Sequence, residues 1–174
     1  ENLLGKYHSS SLTTKMNMAA FWLERKPDKV RAALTILEDI LAYKQALLGE
    51  DHYETLPVIS NLGAAYANLG NVEKQHHYNT MAVSIGRNAG NPGLLAILLQ
   101  NCGVSSSRLG DTLAAENFYR EAVDVLGPQP TPSLAGVWMN LADLYESMGR
   151  YQEGAAAAGK GALIYEQCFG ENEE

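Results

Sequence analysis

Seven glycines divide most of the chain into segments of similar length, and this spacing constrains the fold more than any other feature. They are separated by 21, 20, 20, 17, 22 and 21 residues and stand at Gly49, Gly70, Gly90, Gly110, Gly127, Gly149 and Gly170. Glycine is favoured just after a helix, because that position often takes a left-handed backbone. Each interval therefore predicts one helix followed by a short turn.

The residues that follow several of these glycines are typical of helix starts. Asn71 and Asp111 can cap a helix, while Asn91 and Thr131 each precede a proline, which is favoured at the first helical position. Apolar residues then recur at intervals of three and four, as they do along residues 58–69, and no segment alternates with a period of two. We therefore predict an all-α chain.

Pairs of these helices repeat along the chain. Similar segments begin at four asparagines spaced 44, 40 and 39 residues apart, which are Asn17, Asn61, Asn101 and Asn140. A small residue stands two positions after each asparagine, at Ala19, Gly63, Gly103 and Ala142, and an aromatic residue follows in three repeats, at Trp22, Tyr66 and Tyr145. The pattern predicts closely packed helical hairpins that bury their apolar faces by stacking on one another.

The composition argues against several classes of partner. Thirteen basic and twenty acidic residues give a net charge of -7 without a basic run, so we expect no nucleic-acid partner. The densest apolar run, residues 93–99, is far shorter than the roughly 20 residues that cross a bilayer, so we expect no membrane span. Cys102 and Cys168 each lie in an apolar helical stripe, and we expect reduced thiols in an intracellular protein.

Residues 61–71, NLGAAYANLGN, resemble the first helix and turn of a tetratricopeptide repeat. The period near 40 exceeds the about 34 residues usual for that repeat and would also suit HEAT repeats. A lengthened second helix and the linker at residues 47–52, LLGEDH, resemble the kinesin light chain type of repeat, and residues 3–8 and 169–172 are partial copies of that linker.

The expected organisation is a single domain over residues 1–174. The predicted repeats cover about 6–49, 50–90, 91–127 and 128–170, and residues 171–174 begin a further repeat in what we interpret as a piece of a longer protein. In the first repeat, residues 24–29 replace the usual Leu-Gly, so we expect Lys26 or Asp28 to bound the helix there.

The resemblance implies a right-handed superhelical stack of antiparallel helix pairs, which is a tetratricopeptide-like α-solenoid with about eight main helices. In such stacks the first helix of each pair lines a concave groove, and in peptide-binding members an asparagine ladder there bonds the ligand backbone. The four repeated asparagines match that ladder, because an amide both donates and accepts. The alternative is that these amides bond only within the stack.

The candidate peptide-binding residues are Asn17, Asn61, Ala64, Asn68, Asn101, Val104, Arg108, Asn140 and Asp143. Arg108 could bind an acidic group of the ligand or could end its helix in solvent. Asp143 and Glu146 are spaced like a catalytic carboxylate pair, but we interpret them as a solvated acidic patch. His76 and His77 point to different helix faces, and no catalytic motif occurs, so we expect no catalytic site, no cofactor and no metal.

These observations predict a non-enzymatic scaffold or adaptor that binds an extended peptide or a partner helix. Two alternatives stay open, namely a structural subunit of a cytoskeletal, ciliary or mitochondrial assembly and a regulatory domain of a larger enzyme. An RNA-binding pentatricopeptide protein is disfavoured by the acidic charge. We expect a cytoplasmic protein, with the three other locations left open, and uncapped ends that could allow self-association.

Overall fold

The computed structural model describes residues 9–170, and this part of the chain consists of helices and turns without strands. The eight α-helices are α1 Ser9–Arg25, α2 Val30–Leu48, α3 Leu56–Asn68, α4 Val72–Gly86, α5 Pro92–Arg108, α6 Thr112–Leu126, α7 Pro132–Ser147 and α8 Tyr151–Phe169. Two short 3-10 helices precede α2 and α3, at Pro27–Lys29 and Tyr53–Thr55. The all-α prediction is confirmed. The first linker copy, His8 and residues 171–174 lie outside the described residues.

The chain divides into two compact units, Glu1–Ala89 and Gly90–Glu174. In the first unit α1 packs against α2, α2 against α3, and α3 against α4, and α1 also contacts α3. In the second unit α5 packs against α6, α6 against α7, and α7 against α8, and α5 also contacts α7. Each unit is thus a pair of helical hairpins whose first helices meet. The single domain and its repeat bounds stay predictions.

Predicted capping residues begin four of the helices. Asn71, Asn91, Asp111 and Thr131 each accept a hydrogen bond from the backbone N–H three residues later, at 2.9 to 3.1 Å. Six of the seven spaced glycines have a positive φ, between 64° and 99°, but Gly170 has a φ of -73°. The predicted turn geometry is therefore confirmed at six positions and wrong at the seventh.

The first repeat ends its first helix without a glycine. Helix α1 stops at Arg25, Lys26 has the non-helical angles φ -138° and ψ 78°, and Pro27 begins the 3-10 helix. Lys26, and not Asp28, therefore bounds α1. His52 plays a structural role at the second 3-10 helix, where its Nδ1 accepts a hydrogen bond from the N–H of Glu54 at 3.3 Å.

Small residues allow the two helices of a hairpin to approach closely, as the repeat pattern predicted. A β-carbon added at Gly63 would lie 2.7 Å from Oδ1 of Asn79, and one at Gly103 would lie 2.7 Å from Cδ1 and Cζ of Tyr119. In the last hairpin a β-carbon at Gly161 would lie 3.2 Å from the carbonyl oxygen of Ala135. These glycines leave room for the facing side chain or backbone.

Two further predictions concern the state of the cysteines and the presence of a membrane span. Cys102 is fully buried in α5, Cys168 is half-buried in α8, and both are free thiols. None of the helices within residues 9–170 has the length and apolar character that crossing a bilayer demands.

Candidate functional site

A pocket of about 230 Å³ lies between α5 and α7 in the second unit, and we call it the α5–α7 pocket. Its lining comes from three helices and consists of Val104, Ser107 and Arg108 of α5, Tyr119 of α6, and Asn140, Asp143, Leu144 and Ser147 of α7. Four of the nine residues predicted from the sequence, Val104, Arg108, Asn140 and Asp143, are therefore brought together around one opening. Apart from Asn140 itself, the lining residues of α5 and of α7 stand three to seven positions after the repeated asparagine of their own helix.

The rim of the pocket carries three polar groups of different kinds. Asn140 is half-buried, and its Nδ2 donates to Oε1 of Gln100 at 3.4 Å. Its side-chain oxygen accepts no hydrogen bond from residues 9–170. Asp143 is exposed and pairs with no cation within the described helices, and Arg108 is exposed at the end of α5. The rim thus offers an amide, a carboxylate and a guanidinium.

Tyr119 supplies a buried phenol to the same pocket. Only 3% of this residue is exposed, and its hydroxyl forms no hydrogen bond with another residue of the described chain. Burial and, to a lesser extent, the nearby charge of Asp143 together raise the pKa of Tyr119 to about 12. The phenol is therefore neutral at ordinary pH and can donate one hydrogen bond to a ligand.

Sequence reasoning did not identify Tyr119 as a pocket residue. The sequence feature that could have indicated it is Gly103, because a glycine at a close helix approach leaves space for a side chain of the facing helix. The ring of Tyr119 fills it, because a β-carbon at Gly103 would overlap the ring. The pocket is also lined by Ser107, Leu144 and Ser147. Of these, Ser147 was expected on the groove side from its position seven residues after Asn140, whereas Ser107 and Leu144 were not.

The remaining predicted residues do not line this pocket. Asn17, Ala64 and Asn101 are exposed, and Asn61 is half-buried. Asn68, which ends α3, donates from its Nδ2 to the carbonyl oxygen of Leu23 in α1 at 2.9 Å. Its side chain therefore joins two helices of the first unit, which is the role that the alternative interpretation gave to the four repeated asparagines and not to Asn68.

A polar cluster holds α7 against its neighbours in the second unit. Glu116 of α6 accepts hydrogen bonds from the Tyr145 hydroxyl at 2.9 Å, from Nε of Arg120 at 2.8 Å and from Nη1 of Arg150 at 2.6 Å. The guanidinium of Arg150 lies 4.3 Å from the centre of the Tyr145 ring and also binds Glu153. Since Tyr145 belongs to α7, this cluster helps to position Asn140 and Asp143 at the pocket.

The first unit has a smaller counterpart of this cluster. The hydroxyl of Tyr66 donates to Oε1 of Glu38 at 2.9 Å and accepts from Nζ of Lys74 at 3.2 Å. Tyr66 and Tyr145 are equivalent in the repeat, so both units join consecutive hairpins through a tyrosine, a glutamate and a cation.

Within residues 9–170, no group of three or more His, Cys, Asp and Glu side chains is placed to hold a metal ion. Asp143 and Glu146 are both exposed on α7. The chemistry available at the α5–α7 pocket is hydrogen bonding and charge pairing.

The tetratricopeptide repeat family model matches residues 135–168, which run from the first turns of α7 to the end of α8. No curated protein matches the sequence.

Among the solved structures that resemble this chain are three that cover 94 to 96% of it. The nearly identical tetratricopeptide-like repeats of a Podosopora anserina protein described as a kinesin light chain superpose with a TM-score of 0.80 at 18% identity, over 96% of this chain and 82% of that one. BtubC (BKLC) from P. vanneervenii gives a TM-score of 0.81 at 18% identity, over 94% and 66% of the two chains. Rap protein complexed with competence and sporulation factor gives a TM-score of 0.72 at 14% identity, over 94% of this chain and 46% of that one.

Identities this low establish the fold alone. The chain spans about two thirds of BtubC and about half of the Rap protein. The helical hairpins, the family match in the last hairpin and the structural likeness agree with the resemblance seen in the sequence. The chain therefore has the fold of the tetratricopeptide-like helical repeat proteins, and its α7–α8 hairpin matches the tetratricopeptide repeat itself.

Proposed function

We propose that this chain is a non-enzymatic scaffold that binds an extended peptide segment of a partner protein at the α5–α7 pocket. Tetratricopeptide-like repeats generally serve as protein interaction scaffolds, which supports the general class. The observation that carries the specific proposal is the pocket itself, where a buried phenol without an internal partner meets an amide and two opposite charges.

The polar groups of the pocket suit a peptide main chain. Asn140 can accept from a ligand N–H and donate to a ligand carbonyl, so it serves a main chain without demanding one sequence. Arg108 can pair with a carboxylate of the ligand and Asp143 with a cation. A volume of about 230 Å³ admits a side chain and its flanking backbone, and it is too small for a folded domain. The size of the pocket is therefore compatible with an extended segment of a partner protein.

The structural likenesses support binding in a general way. The Rap protein shares this fold, and its structure is that of a complex with competence and sporulation factor. We propose protein or peptide partners for this chain as well, in the cytoplasm, and no nucleic-acid partner because the net charge is -7.

A structural subunit with no exchangeable ligand is the second candidate, and the hydrogen bond from Asn68 to Leu23 favours it. Asn68 is not one of the four repeated asparagines, but if those four also bonded only inside the stack, no ladder would be left for a ligand. Asn140 also donates inside the stack, to Gln100 of α5, but its side-chain oxygen accepts no hydrogen bond within the described chain and borders the pocket, so it can still accept one from a ligand.

A selection from a random peptide library displayed on phage tests the proposal. Val104 is 38% exposed and lines the pocket, so Val104→Trp should fill the opening without disturbing the core. The control is Leu113→Trp, since Leu113 is 69% exposed on α6 and lies outside the pocket. Peptides enriched on the original chain should bind the control equally and Val104→Trp about tenfold more weakly or worse, a difference of about 1.4 kcal/mol. Failure to enrich any peptide, or equal binding to all three chains, would remove the proposal.

A further inference from the structure

Four side chains of the α5–α7 pocket can each accept a hydrogen bond that no group of the described chain donates. The side-chain oxygen of Asn140 has no internal donor, and Asp143 pairs with no cation of the described helices. The Ser147 hydroxyl donates to the carbonyl oxygen of Leu144 at 2.6 Å, so its own lone pairs are left to accept. The buried phenol oxygen of Tyr119 is in the same position. A ligand group that donates several hydrogen bonds therefore matches this pocket.

The charge of Asp143 determines which ligand charge is favoured beside the buried phenol. The pKa of Tyr119 is raised mainly by burial and also by the charge of Asp143, so this carboxylate acts on the phenol. A ligand group bound against the phenol is exposed to the same negative charge, which attracts a cation and repels an anion. The net charge of -7 acts in the same direction on an approaching ligand.

Arg108 is the one cation among the residues that line the pocket, and it does not neutralise Asp143. It is the last residue of α5 and is exposed. Arg108 already takes part in an interaction within the described chain, whereas Asp143 forms no ion pair there. The charge that lacks a partner in this pocket is therefore the carboxylate.

Two apolar side chains line the pocket beside these polar groups. Val104 of α5 is 38% exposed and Leu144 of α7 is 3% exposed. A lysine side chain buries its methylene stem along apolar surface and keeps its ammonium group at polar partners. The pocket offers an apolar wall for such a stem, and a carboxylate and neutral oxygens for the ammonium group.

We propose that the α5–α7 pocket receives a primary ammonium group of the partner peptide, which pairs with Asp143 and donates hydrogen bonds to Asn140 and Tyr119. This inference rests on the proposed function and adds the chemical group that the peptide must carry. An ammonium group has three N–H donors and no acceptor, which suits one carboxylate and two neutral oxygens. A lysine side chain or a free amino terminus supplies this group.

Peptides from the library selection test the proposal through their own chemistry. Those that Val104→Trp weakens are synthesised and titrated into the original chain by calorimetry. Replacing a lysine of the peptide by norleucine keeps the stem and removes the charge, and acetylating the amino terminus removes the other source of an ammonium group. One of these two changes should weaken binding about tenfold or more, and it identifies the source. Added salt should also weaken the unmodified peptide.

Asp143→Asn and Glu146→Gln form a matched pair of variants on α7. Each removes one negative charge from an exposed position, but Asp143 lines the pocket and Glu146 does not. Asp143→Asn should bind the ammonium peptide about tenfold more weakly and should bind its uncharged form as the original chain does, which completes a double-mutant cycle. Glu146→Gln should bind both forms as the original chain does.

Tyr119→Phe removes the hydroxyl without an internal partner and keeps the ring that packs against Gly103. It should weaken the ammonium peptide about threefold or more and leave the melting temperature nearly unchanged.

Two results would overturn this inference while peptide binding at the pocket stands. One is that the selected peptides keep their affinity after both changes to their ammonium groups, and the other is that Asp143→Asn and Glu146→Gln bind the ammonium peptide equally well. If no peptide is enriched, or if Val104→Trp binds the peptides as the original chain does, the proposed function fails and this inference fails with it.

Discussion

At the scale of single residues, Glu116 shows how a buried charge can be stabilised at the junction of three helices. Burial by itself raises the pKa of this carboxyl group, but the hydrogen bonds from Arg150, Arg120 and Tyr145 outweigh it and lower the pKa below its ordinary value of 4.5. A carboxylate whose pKa falls on folding stabilises the native state at every pH above the unfolded value. That contribution is lost as the pH falls through the lowered value of the folded state.

Glu116→Gln should therefore reduce the free energy of unfolding at pH 7 by about 1.5 to 3 kcal/mol, the usual worth of hydrogen bonds to a charged group. The deficit relative to the original chain should shrink as the pH is lowered below about 4.5, because the original carboxylate then takes up a proton. Urea denaturation followed by circular dichroism at neutral and acidic pH measures both effects. Asp124→Asn, at an exposed position on the same helix, is the control. A deficit of equal size at both pH values would show that charge is not what Glu116 contributes.

At the scale of helices, glycines determine how closely the two members of a hairpin approach. Gly103 faces the ring of Tyr119, whereas Gly159 of α8 is exposed and an added β-carbon there would meet no atom within 4 Å. Both are glycines in the interior of a helix, where alanine is intrinsically favoured by about 1 kcal/mol. The two positions therefore separate packing from helix propensity.

We expect Gly103→Ala to lower stability by about 1 to 3 kcal/mol, because the added carbon overlaps Tyr119, and Gly63→Leu to cost a similar amount by overpacking against Asn79. Gly159→Ala should instead raise stability by about 0.5 to 1 kcal/mol. The melting temperatures of the three variants, compared with that of the original chain, measure these changes in stability. An increase for Gly103→Ala like that for Gly159→Ala would place Tyr119 elsewhere.

The helix boundaries were largely predictable because capping is local chemistry. An asparagine or threonine before a proline specifies a helix start through its own side chain, as Asn91 and Thr131 do. Gly170 shows the limit of such reasoning. Glycine permits a positive φ without requiring it, and at Gly170 the chain continues from α8 with helical angles.

At the scale of the whole molecule, the repeat period predicted which residues are equivalent, and this was enough for the fold and for part of the candidate site. Val104 and Asp143 could be identified as neighbours of the repeated asparagines. Tyr119 could not, because its place at the pocket depends on how α6 packs beneath α5 and α7. The period likewise could not predict that the amide of Asn68 joins α3 to α1, or that the amide of Asn140 borders the pocket.

Calorimetric titration tests peptide binding at the second unit most directly. A library-selected peptide is titrated into the original chain and into the double variant Asn101→Ala, Asn140→Ala. Each amide that bonds a ligand main chain contributes about 0.5 to 1.5 kcal/mol, so the double variant should bind about tenfold more weakly or worse. Its melting temperature should be nearly unchanged, because alanine favours helices and the hydrogen bond that Asn140 loses to Gln100 is long, at 3.4 Å. Arg108→Ala, measured in parallel, reports whether an acidic group of the peptide adds to the affinity. Unchanged affinity together with unchanged stability would contradict the account and favour a structural subunit, and a loss of stability would assign the asparagines to the fold.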